Sequence, residues 1–225
     1  MRRNKKIAES GTQNLSVGYL KSCDGLEVHH TVTLFNRNHP DITIDAFEST
    51  SERLSELLDL GKIDIALCEQ KSVNLDTYIM YPIVTVNFLI EISSNNPLSE
   101  KNSVSVDDLR FLPGILVANG GERELELSRI RNSHGFPNSF IFADTIREAR
   151  MLVASGKGFM PIDGLGGAED LKPSICRVNV CENNMPVLQP YCAYWKISNS
   201  KVYIKEFVDI LREQFPQNEI EHNYR

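Results

Sequence analysis

The sequence lacks the features of several large classes of protein. No run of about 18 apolar residues occurs in the 225-residue chain, so no segment is suited to span a membrane as a helix. Basic residues are also scarce, since 24 Lys and Arg stand against 30 Asp and Glu and the net charge is −6. A nucleic-acid-binding surface needs clustered positive charge. The one basic cluster, at residues 1–6, is typical of a solvated terminus, so we expect no DNA or RNA contact from this chain itself.

The cysteines and the known catalytic motifs exclude further functions. Five cysteines are an odd number, and they show neither a CxxC pair nor metal-ligand spacing, so we expect reduced thiols in a cytoplasmic protein. The polar segment after the basic start does not fit a secretory signal peptide. The sequence contains no G-x-S-x-G, no H-E-x-x-H and no P-loop. We therefore predict no catalytic residue, no metal ligand and no cofactor.

The first part of the chain alternates between strand and helix patterns. Apolar and β-branched runs predict strands, and segments with apolar residues at helical spacing predict the helices between them. Such alternation is typical of βαβ units with a parallel sheet. The predicted order is a strand at 15–20, a helix from about 22 to 39, a strand at 42–47, a helix opening near 51 and a strand at 63–67. On the first helix Leu26, Val28, Val32 and Phe35 fall at helical spacing. The second helix has Leu54, Leu57 and Leu58 on one face, and Gly61 is placed to cap its C-terminus.

The strand and helix pattern then repeats, and the last strand and helix are assigned to the first lobe again. A long strand at 83–92 precedes a second βαβ series from 114 to 162, and a closing strand and an amphipathic helix occupy 191–215. The helix from 145 to 155 is expected to turn Ile146, Ala149, Leu152 and Val153 inward, and the closing helix has Phe207, Ile210, Leu211 and Phe215 on one stripe. We therefore predict an α/β protein of two Rossmann-like βαβ lobes joined by two hinge segments. Lobe I takes 14–92 and 191–216, lobe II takes 93–190, and 1–13 is a linker end or tail. This architecture favours a ligand cleft between the lobes, at the carboxyl ends of the strands.

Four short motifs resemble the effector-binding domain of LysR-type transcriptional regulators, which has a type 2 periplasmic-binding-protein-like fold. Phe35, Pro40 and Asp41 fit an F-x-x-x-x-P-[DE] pattern. Leu58-Asp-Leu-Gly-Lys-Ile-Asp-Ile-Ala-Leu67 looks like the family's L-x-x-G-x-[LI]-D-[LI]-A-[LI] block. Asn96-Pro-Leu98 and Ala154-Ser-Gly-Lys-Gly-Phe-Met-Pro161 are similar to two further family segments. Together with the first strand from Leu15 and the terminal Phe207–Leu211 helix, which also fit, the matches follow the family's order over about 190 residues.

The resemblance implies a sensor of a small-molecule effector. It also implies a homodimer formed through the effector domains, and DNA binding only through an N-terminal winged helix-turn-helix that this sequence does not contain. Ser22, Cys23 and Asp24, in the turn before the first helix, are the strongest effector-binding candidates, because family members bind effector carboxylates or similar groups there. The structural alternative is that Ser22 or Asp24 only caps the first helix. Asp24 would repel an anion if it were ionised.

Three further turns offer donors to a ligand at the ends of strands. Thr50 and Ser51 open the second helix, where free backbone N–H groups favour anions. Asn119 and Gly120 follow a strand and leave backbone amides accessible. Asp144 and Thr145 stand between a strand and a helix. Each turn has a structural alternative: helix capping for Thr50, Ser51 and Asp144, and a simple tight turn for Asn119 and Gly120.

Two other functions remain open from the sequence. An extracytoplasmic solute-binding protein of an uptake system shares the two-lobed architecture, and an upstream signal sequence would favour it. An enzyme on the same scaffold, such as a small acid dehydratase, needs a general acid or base in the cleft. Asp144 is the one plausible candidate for that role.

Overall fold

The computed structural model describes residues 13–20, 25–136, 139–165 and 173–215 of the chain, without the side chains of residues 133 and 134. The described residues form two compact units. Unit 1 contains the described residues up to Val84 and those from Pro190 onwards, and unit 2 runs from Thr85 to Gln189. No helix in the described ranges combines the length and the apolar character needed to cross a bilayer.

Eleven strands and six α-helices are assigned in the described residues. The strands are β1 Gln13–Leu20, β2 Ile42–Ser49, β3 Ile65–Glu69, β4 Tyr78–Ser93, β5 Ser103–Ser105, β6 Gly114–Val117, β7 Phe140–Ala143, β8 Met160–Asp163, β9 Ile175–Glu182, β10 Met185–Pro186 and β11 Leu188–Lys196. The helices are α1 Leu26–Asn38, α2 Ser51–Asp59, α3 Val106–Leu109, α4 Arg123–His134, α5 Ile146–Ala154 and α6 Tyr203–Glu213.

Unit 1 is built on a sheet with β1 at the centre of two βαβ crossovers. β1 pairs in parallel with β2, with Gln13 opposite Ile42, and in parallel with β3, with Val17 opposite Ile65. β3 then pairs antiparallel with β11. The sheet order in this unit is β2-β1-β3-β11-β4. The predicted parallel sheet of the first block is thus confirmed, and the carboxyl ends of its parallel strands lie at one edge.

The helix α2 follows the sequence pattern closely. Leu54, Leu57 and Leu58 are buried and form the face that packs on the sheet. The helix ends at Gly61, whose φ of +66° lies in the left-handed region that favours glycine. The Gly61 amide donates to the Leu58 carbonyl at 3.0 Å and the Lys62 amide donates to the Leu57 carbonyl at 2.8 Å. Gly61 therefore satisfies the last carbonyls of the helix, as the sequence predicted.

The helix α1 departs from the sequence prediction at its start. It begins at Leu26 rather than near residue 22, with Gly25 at the N-cap position in a left-handed conformation (φ 71°). A Cβ atom on Gly25 would lie 3.0 Å from the Tyr19 ring, so both the backbone angle and the close contact require glycine here. Because the helix starts at residue 26, Leu26 is 56% exposed instead of lying on the buried stripe.

The buried stripe of α1 also contains a polar residue that the sequence pattern did not predict. Val28, Thr31 and Phe35 are buried, while Val32 is only half-buried. Thr31 can be buried because its hydroxyl donates to the Glu27 carbonyl at 2.7 Å, which satisfies the polar atom and leaves the methyl group for the core. The prediction that Val32 belongs to this stripe was therefore wrong.

Unit 2 contains a second parallel pair and an antiparallel group. β6 and β7 pair in parallel, and Phe159, just before β8, bridges to Gly114 at the start of β6. β4 pairs antiparallel with β8 and with β9. On α5, Ala149 and Val153 are buried as predicted. Ile146 is 48% exposed, so its predicted inward position was wrong, because it stands in the first turn of the helix beside the exposed cap.

The terminal helix α6 completes unit 1. Its buried stripe contains Tyr203, Ile204, Phe207, Val208 and Leu211. The predicted inward residues Phe207 and Leu211 are confirmed, whereas Ile210 is only half-buried. The ring of Phe35 on α1 meets that of Phe207 edge to face, with centroids 5.5 Å apart. The two helices therefore pack against each other on one face of the sheet.

The chain crosses twice between the two units, and each crossing falls within a strand. The first passage falls between Val84 and Thr85, within β4, rather than after residue 92 as expected from the sequence. The second falls between Gln189 and Pro190, near the start of β11. The reason is that β4 is a continuous strand of 16 residues, which sequence patterning alone cannot divide.

Candidate functional site

The carboxyl edge of the unit 1 sheet carries the N-terminus of α2. Thr50 is the N-cap residue, and its hydroxyl accepts a hydrogen bond from the Arg53 amide at 3.3 Å. The Leu54 amide donates to the Thr50 carbonyl at 2.9 Å. The amides of Ser51 and Glu52 have no acceptor among the described residues. Thr50 thus caps the helix, while two donors in its first turn remain free to contact a ligand.

Thr50 does not form a capping box. That motif needs a Glu or Gln at the third helical position, which Arg53 occupies. Ser51 is also not the cap, since its carbonyl accepts a 2.8 Å hydrogen bond from the Ser55 hydroxyl within the first turn. The capping alternative considered from the sequence therefore applies to Thr50 alone.

The end of β3 and the segment after it bring further polar groups to this edge. Lys71 is half-buried, and its ammonium group donates to the Ser55 hydroxyl on α2. The same ammonium lies 5.7 Å from the centre of the Tyr194 ring on β11. The Lys71 backbone amide donates to the Tyr194 hydroxyl at 2.9 Å. Lys71 is thus held against α2 and β11, both in unit 1.

Two thiols lie beside this cluster. Cys68 on β3 and Cys192 on β11 stand directly opposite each other in the antiparallel register, and both are buried. Burial raises the pKa of each thiol to about 11, because desolvation disfavours the thiolate. Burial likewise raises the pKa of the Tyr194 phenol above its usual range. Near neutral pH these three groups are therefore uncharged.

In unit 2, Asn119 and Gly120 follow β6 at its carboxyl end. The Glu122 amide donates to the Asn119 carbonyl at 2.7 Å, which closes a short 3-10 turn over Gly120–Glu122. The Asn119 side chain makes no capping hydrogen bond and is exposed. A Cβ atom built on Gly120 would meet nothing within 4 Å. The turn therefore presents an amide side chain and an open stretch of backbone.

Asp144 and Thr145 follow β7, the parallel neighbour of β6. Thr145 is the N-cap residue of α5, and its hydroxyl accepts from the Glu148 amide at 3.1 Å. The Glu148 carboxylate accepts in return from the Asp144 amide at 2.9 Å. Asp144 is therefore not the cap, contrary to the structural alternative considered for it. Its carboxylate is 67% exposed and lies 3.5 Å from the Arg123 guanidinium.

The structure places the predicted residues in two groups, one in each unit. In unit 1, Thr50 and Ser51 lie at the same sheet edge as Lys71, Ser55 and Tyr194. The sequence analysis did not identify these last three residues as candidates. The Asn119 and Asp144 turns follow neighbouring parallel strands, since the Ala118 amide donates to the Ala143 carbonyl at 3.0 Å. Ser22, Cys23 and Asp24 lie outside the described residues. Lys71 could have been found from its position two residues after a predicted parallel strand.

These residues do not form a recognisable metal site. Within the described ranges, no three His, Cys, Asp or Glu side chains are grouped as metal ligands. The two edges offer hydrogen-bond donors and acceptors, with the Lys71 ammonium group at the unit 1 edge and the Asp144 carboxylate beside Arg123 at the unit 2 edge. Such an arrangement is suited to binding a polar small molecule, and these edges with the repeated βαβ units define the class of α/β ligand-binding domains.

The chain belongs to the LysR substrate binding domain family, whose pattern matches residues 10–216. This match confirms the resemblance noted from the sequence, and with it the effector-binding domain of a LysR-type regulator. It does not favour the solute-binding protein of an uptake system.

Solved structures of LysR-family regulators share this fold at low sequence identity. The regulatory domain of MetR, a LysR family regulator from N. meningitidis, has a TM-score of 0.73 at 15% identity, covering 90% of this chain and 93% of that one. The reduced OxyR regulatory domain from Pseudomonas aeruginosa has a TM-score of 0.71 at 16% identity, covering 90% and 98%. A full-length BenM variant has a TM-score of 0.72 at 17% identity, covering 89% of this chain and 67% of that one.

Proposed function

We propose that the chain senses a small-molecule effector at the strand-end turns of its two units and so controls transcription by a full-length regulator. The observation that carries this proposal is the first turn of α2, where the amides of Ser51 and Glu52 have no acceptor among the described residues, at the carboxyl edge of parallel strands. Ser22, Cys23 and Asp24 belong to the proposed site because the family binds effectors at this turn.

The proposal also concerns the strand-end edge of unit 2, taken by itself. Asn119, Gly120 and Thr145 supply an amide side chain, an open backbone and a cap hydroxyl at the unit 2 edge. Under this proposal, effector binding shifts the population of two regulator conformations only as far as its affinity for the two differs.

The proposal also covers the partners of the regulator and its location in the cell. We propose that the regulator is a cytoplasmic homodimer paired through its effector domains, and that DNA is contacted by a separate N-terminal domain. Support comes from the family membership and from the full-length BenM variant, of which this chain covers 67%. The net charge of −6 agrees with this division, because DNA contacts need a basic surface.

We do not propose catalysis. Asp144 was the one candidate for a general acid or base, and its carboxylate is mostly exposed and faces Arg123, as in an ordinary surface ion pair.

A binding screen tests the proposal. The purified chain is heated with a panel of organic acids, amino acids and sugars, and compounds that raise the melting temperature are titrated by calorimetry. Asn119→Ala and Ser51→Pro, which removes the free amide at the first helical position where proline is tolerated, are compared with Thr33→Ala, a change on the exposed face of α1. We expect each edge variant to weaken binding about tenfold, the loss of roughly one polar contact, and Thr33→Ala to leave it unchanged. A broad panel without a stabilising compound would contradict the proposal.

A further inference from the structure

Two cysteines of unit 1 face each other across a pair of strands. Cys68 on β3 stands directly opposite Cys192 on β11 in the antiparallel register, so both side chains point to the same face of the sheet. Their exposed fractions are 0% and 1%, and both thiols are free. Cys176 and Cys181 stand an odd number of positions apart on β9 and therefore point to opposite faces. Among the described cysteines, Cys68 and Cys192 are thus the pair that can hold one ion together.

The backbone register spaces the two side chains too widely for a disulfide. The Gln70 amide donates to the Pro190 carbonyl at 2.8 Å, so residues 70 and 190 form a hydrogen-bonded pair. Because such pairs alternate along the ladder, Cys68 and Cys192 form the next one. Side chains in a hydrogen-bonded pair are the more widely spaced, with Cβ atoms about 5.5 Å apart, whereas a disulfide needs about 3.8 Å. A metal–thiolate bond is about 2.3 Å long, so an ion between the sulfurs would hold them about 4.6 Å apart, which this spacing allows.

Hydrogen-bond donors contact both sulfurs. The Ser51 hydroxyl and the Lys71 ammonium group contact the Cys68 thiol, and the Tyr194 hydroxyl contacts the Cys192 thiol. The Lys71 ammonium group also lies 5.7 Å from the centre of the Tyr194 ring, so these donors occupy one region around the pair. A cysteine that only fills space in a core needs no such donors. Donors of this kind stabilise sulfur that carries negative charge, as the thiolates bound to a metal ion do.

We propose that Cys68 and Cys192 form a two-coordinate site for a soft cation of single positive charge, of the class of Cu(I), in the core of unit 1. Thiolates favour Cu(I), and two of them in line satisfy this ion without a third side chain, whereas Zn(II) takes four ligands in a tetrahedron. The sequence pattern did not reveal the pair, because the two residues meet only through the pairing of β3 with β11. The inference does not rest on the proposed function, since it concerns a different kind of ligand.

Binding replaces two protons by one ion. Both thiols are protonated near neutral pH, so each releases a proton to the solvent as its sulfur bonds to the metal, and no electron is transferred. One univalent cation and two thiolates carry a single net negative charge, which the Lys71 ammonium group beside Cys68 offsets. Ser51 and Lys71 are half-buried, so the ion reaches the sulfurs by displacement of these two side chains and without separation of the strands.

The first experiment measures Cu(I) binding by competition with the chromogenic chelator bicinchoninate, under reducing and oxygen-free conditions. The wild-type chain is compared with a variant that keeps Cys68 and Cys192 as its only cysteines, through the changes Cys23→Ser, Cys176→Ser and Cys181→Ser. We expect this variant to bind one Cu(I) per chain as tightly as the wild type does, and to bind no Zn(II). A further Cys192→Ser change should weaken Cu(I) binding by more than about 100-fold, beyond the effect of losing an outer contact, and Lys71→Met should weaken it about 10-fold.

The second experiment is X-ray absorption at the copper edge, which needs no variant without a ligand and so decides the matter even if Cys192→Ser fails to fold. We expect two sulfur neighbours at a single distance and no nitrogen or oxygen neighbour. Loss of all Cu(I) to bicinchoninate, one ion shared by two chains, a single sulfur neighbour, or unchanged affinity in a folded Cys192→Ser protein would each overturn the proposal. An effector screen without a stabilising compound would contradict the proposed function and leave these results unaffected.

Discussion

The guanidinium of Arg150 donates two hydrogen bonds to the carboxylate of Glu91, each 2.9 Å long, and the Glu91 side chain is fully buried. Arg177, directly opposite Glu91 on β9, donates to the same carboxylate at 3.1 and 3.2 Å. One acidic group thus joins β4, β9 and α5 in unit 2. A buried carboxylate is tolerated here because two guanidinium groups satisfy its lone pairs.

Glu91→Gln should strongly destabilise unit 2, because it leaves two largely buried guanidinium groups without a carboxylate. We expect a loss of about 3 kcal/mol in the free energy of unfolding, which urea denaturation measures. Glu56→Gln, in the exposed Arg53–Glu56 pair of α2, is the control and should change stability by less than about 0.5 kcal/mol. Equal effects of the two changes would show that the buried pair is not a stabilising link.

Alkaline pH should destabilise the protein through Cys68. The pKa of this thiol is raised to about 11 by burial, whereas in the unfolded chain it lies near 9. Between these values the unfolded state loses the proton and the folded state keeps it, so stability is retained below pH 9 and falls as the pH rises towards 11. The loss is on the order of 2 kcal/mol.

Cys68→Ala should make this alkaline decline shallower, even though the variant is less stable at pH 7 because a buried side chain is removed. Urea denaturation at pH 7, 9 and 10.5 measures the slope for both proteins. Alkylation of Cys68 by iodoacetamide should also be slow in the folded chain at pH 8, since the thiolate is scarce. Rapid alkylation of Cys68 under native conditions would contradict the pKa and the burial together.

Gly158→Ala should disrupt the junction of β6 and β8. A Cβ atom at residue 158 would lie 2.1 Å from the Pro113 carbonyl oxygen, and that oxygen accepts a hydrogen bond from the Phe159 amide. Because the contact is with backbone, relief requires the strands to separate, and we expect a cost of about 2 kcal/mol or more. Gly121→Ala is the control, since its Cβ would meet nothing within 4 Å. Thermal unfolding of the two variants should differ clearly.

Asp64→Ala should loosen the C-terminal part of unit 1. The Asp64 carboxylate accepts from the Ser16 amide at 2.9 Å, from Asn199 at 2.8 Å and from the Lys201 ammonium group at 2.6 Å. These contacts fix β1 to the segment that precedes α6. We expect a loss of about 2 kcal/mol and faster amide exchange in α6.

The exposed Asp45 provides a control for this change. Its carboxylate accepts a 2.8 Å hydrogen bond from the Asn14 side chain at the surface. Asp45→Ala should cost less than about 0.5 kcal/mol and leave exchange in α6 unchanged. Faster exchange in α6 after both substitutions would show that the effect is not specific to Asp64.

The parallel sheets and several helix faces were predictable because their signals are local. Leu54, Leu57 and Leu58 repeat at helical spacing before a glycine, and nothing in the tertiary structure opposes that pattern. The start of α1 was not predictable in the same way. Residue 25 must be glycine because its backbone is left-handed and because the Tyr19 ring lies where a Cβ would stand, and a contact between two elements is not visible in the order of residues.

The candidate site was only partly predictable. Thr50 and Ser51 follow a strand and begin a helix, so their position in the sequence predicts a helix cap and free backbone donors. The role of Lys71 depends on Ser55 and Tyr194, which are 16 and 123 residues away in the sequence. Asp144 was read as a possible cap because Asp favours that position, but Thr145 takes it and Asp144 pairs with Arg123.

The passage of the chain through β4 restricts how this protein can be re-engineered. Deleting or adding one residue near Val84 would turn each side chain on the rest of the strand to the opposite face, so that Ile90 and Glu91, which are both buried, would each lose their present surroundings. A fluorescent reporter inserted at this passage would therefore destroy pairing instead of reading out ligand. The hairpin turn at Asn183–Asn184, which joins β9 to β10, can accept such an insertion without changing any strand's length.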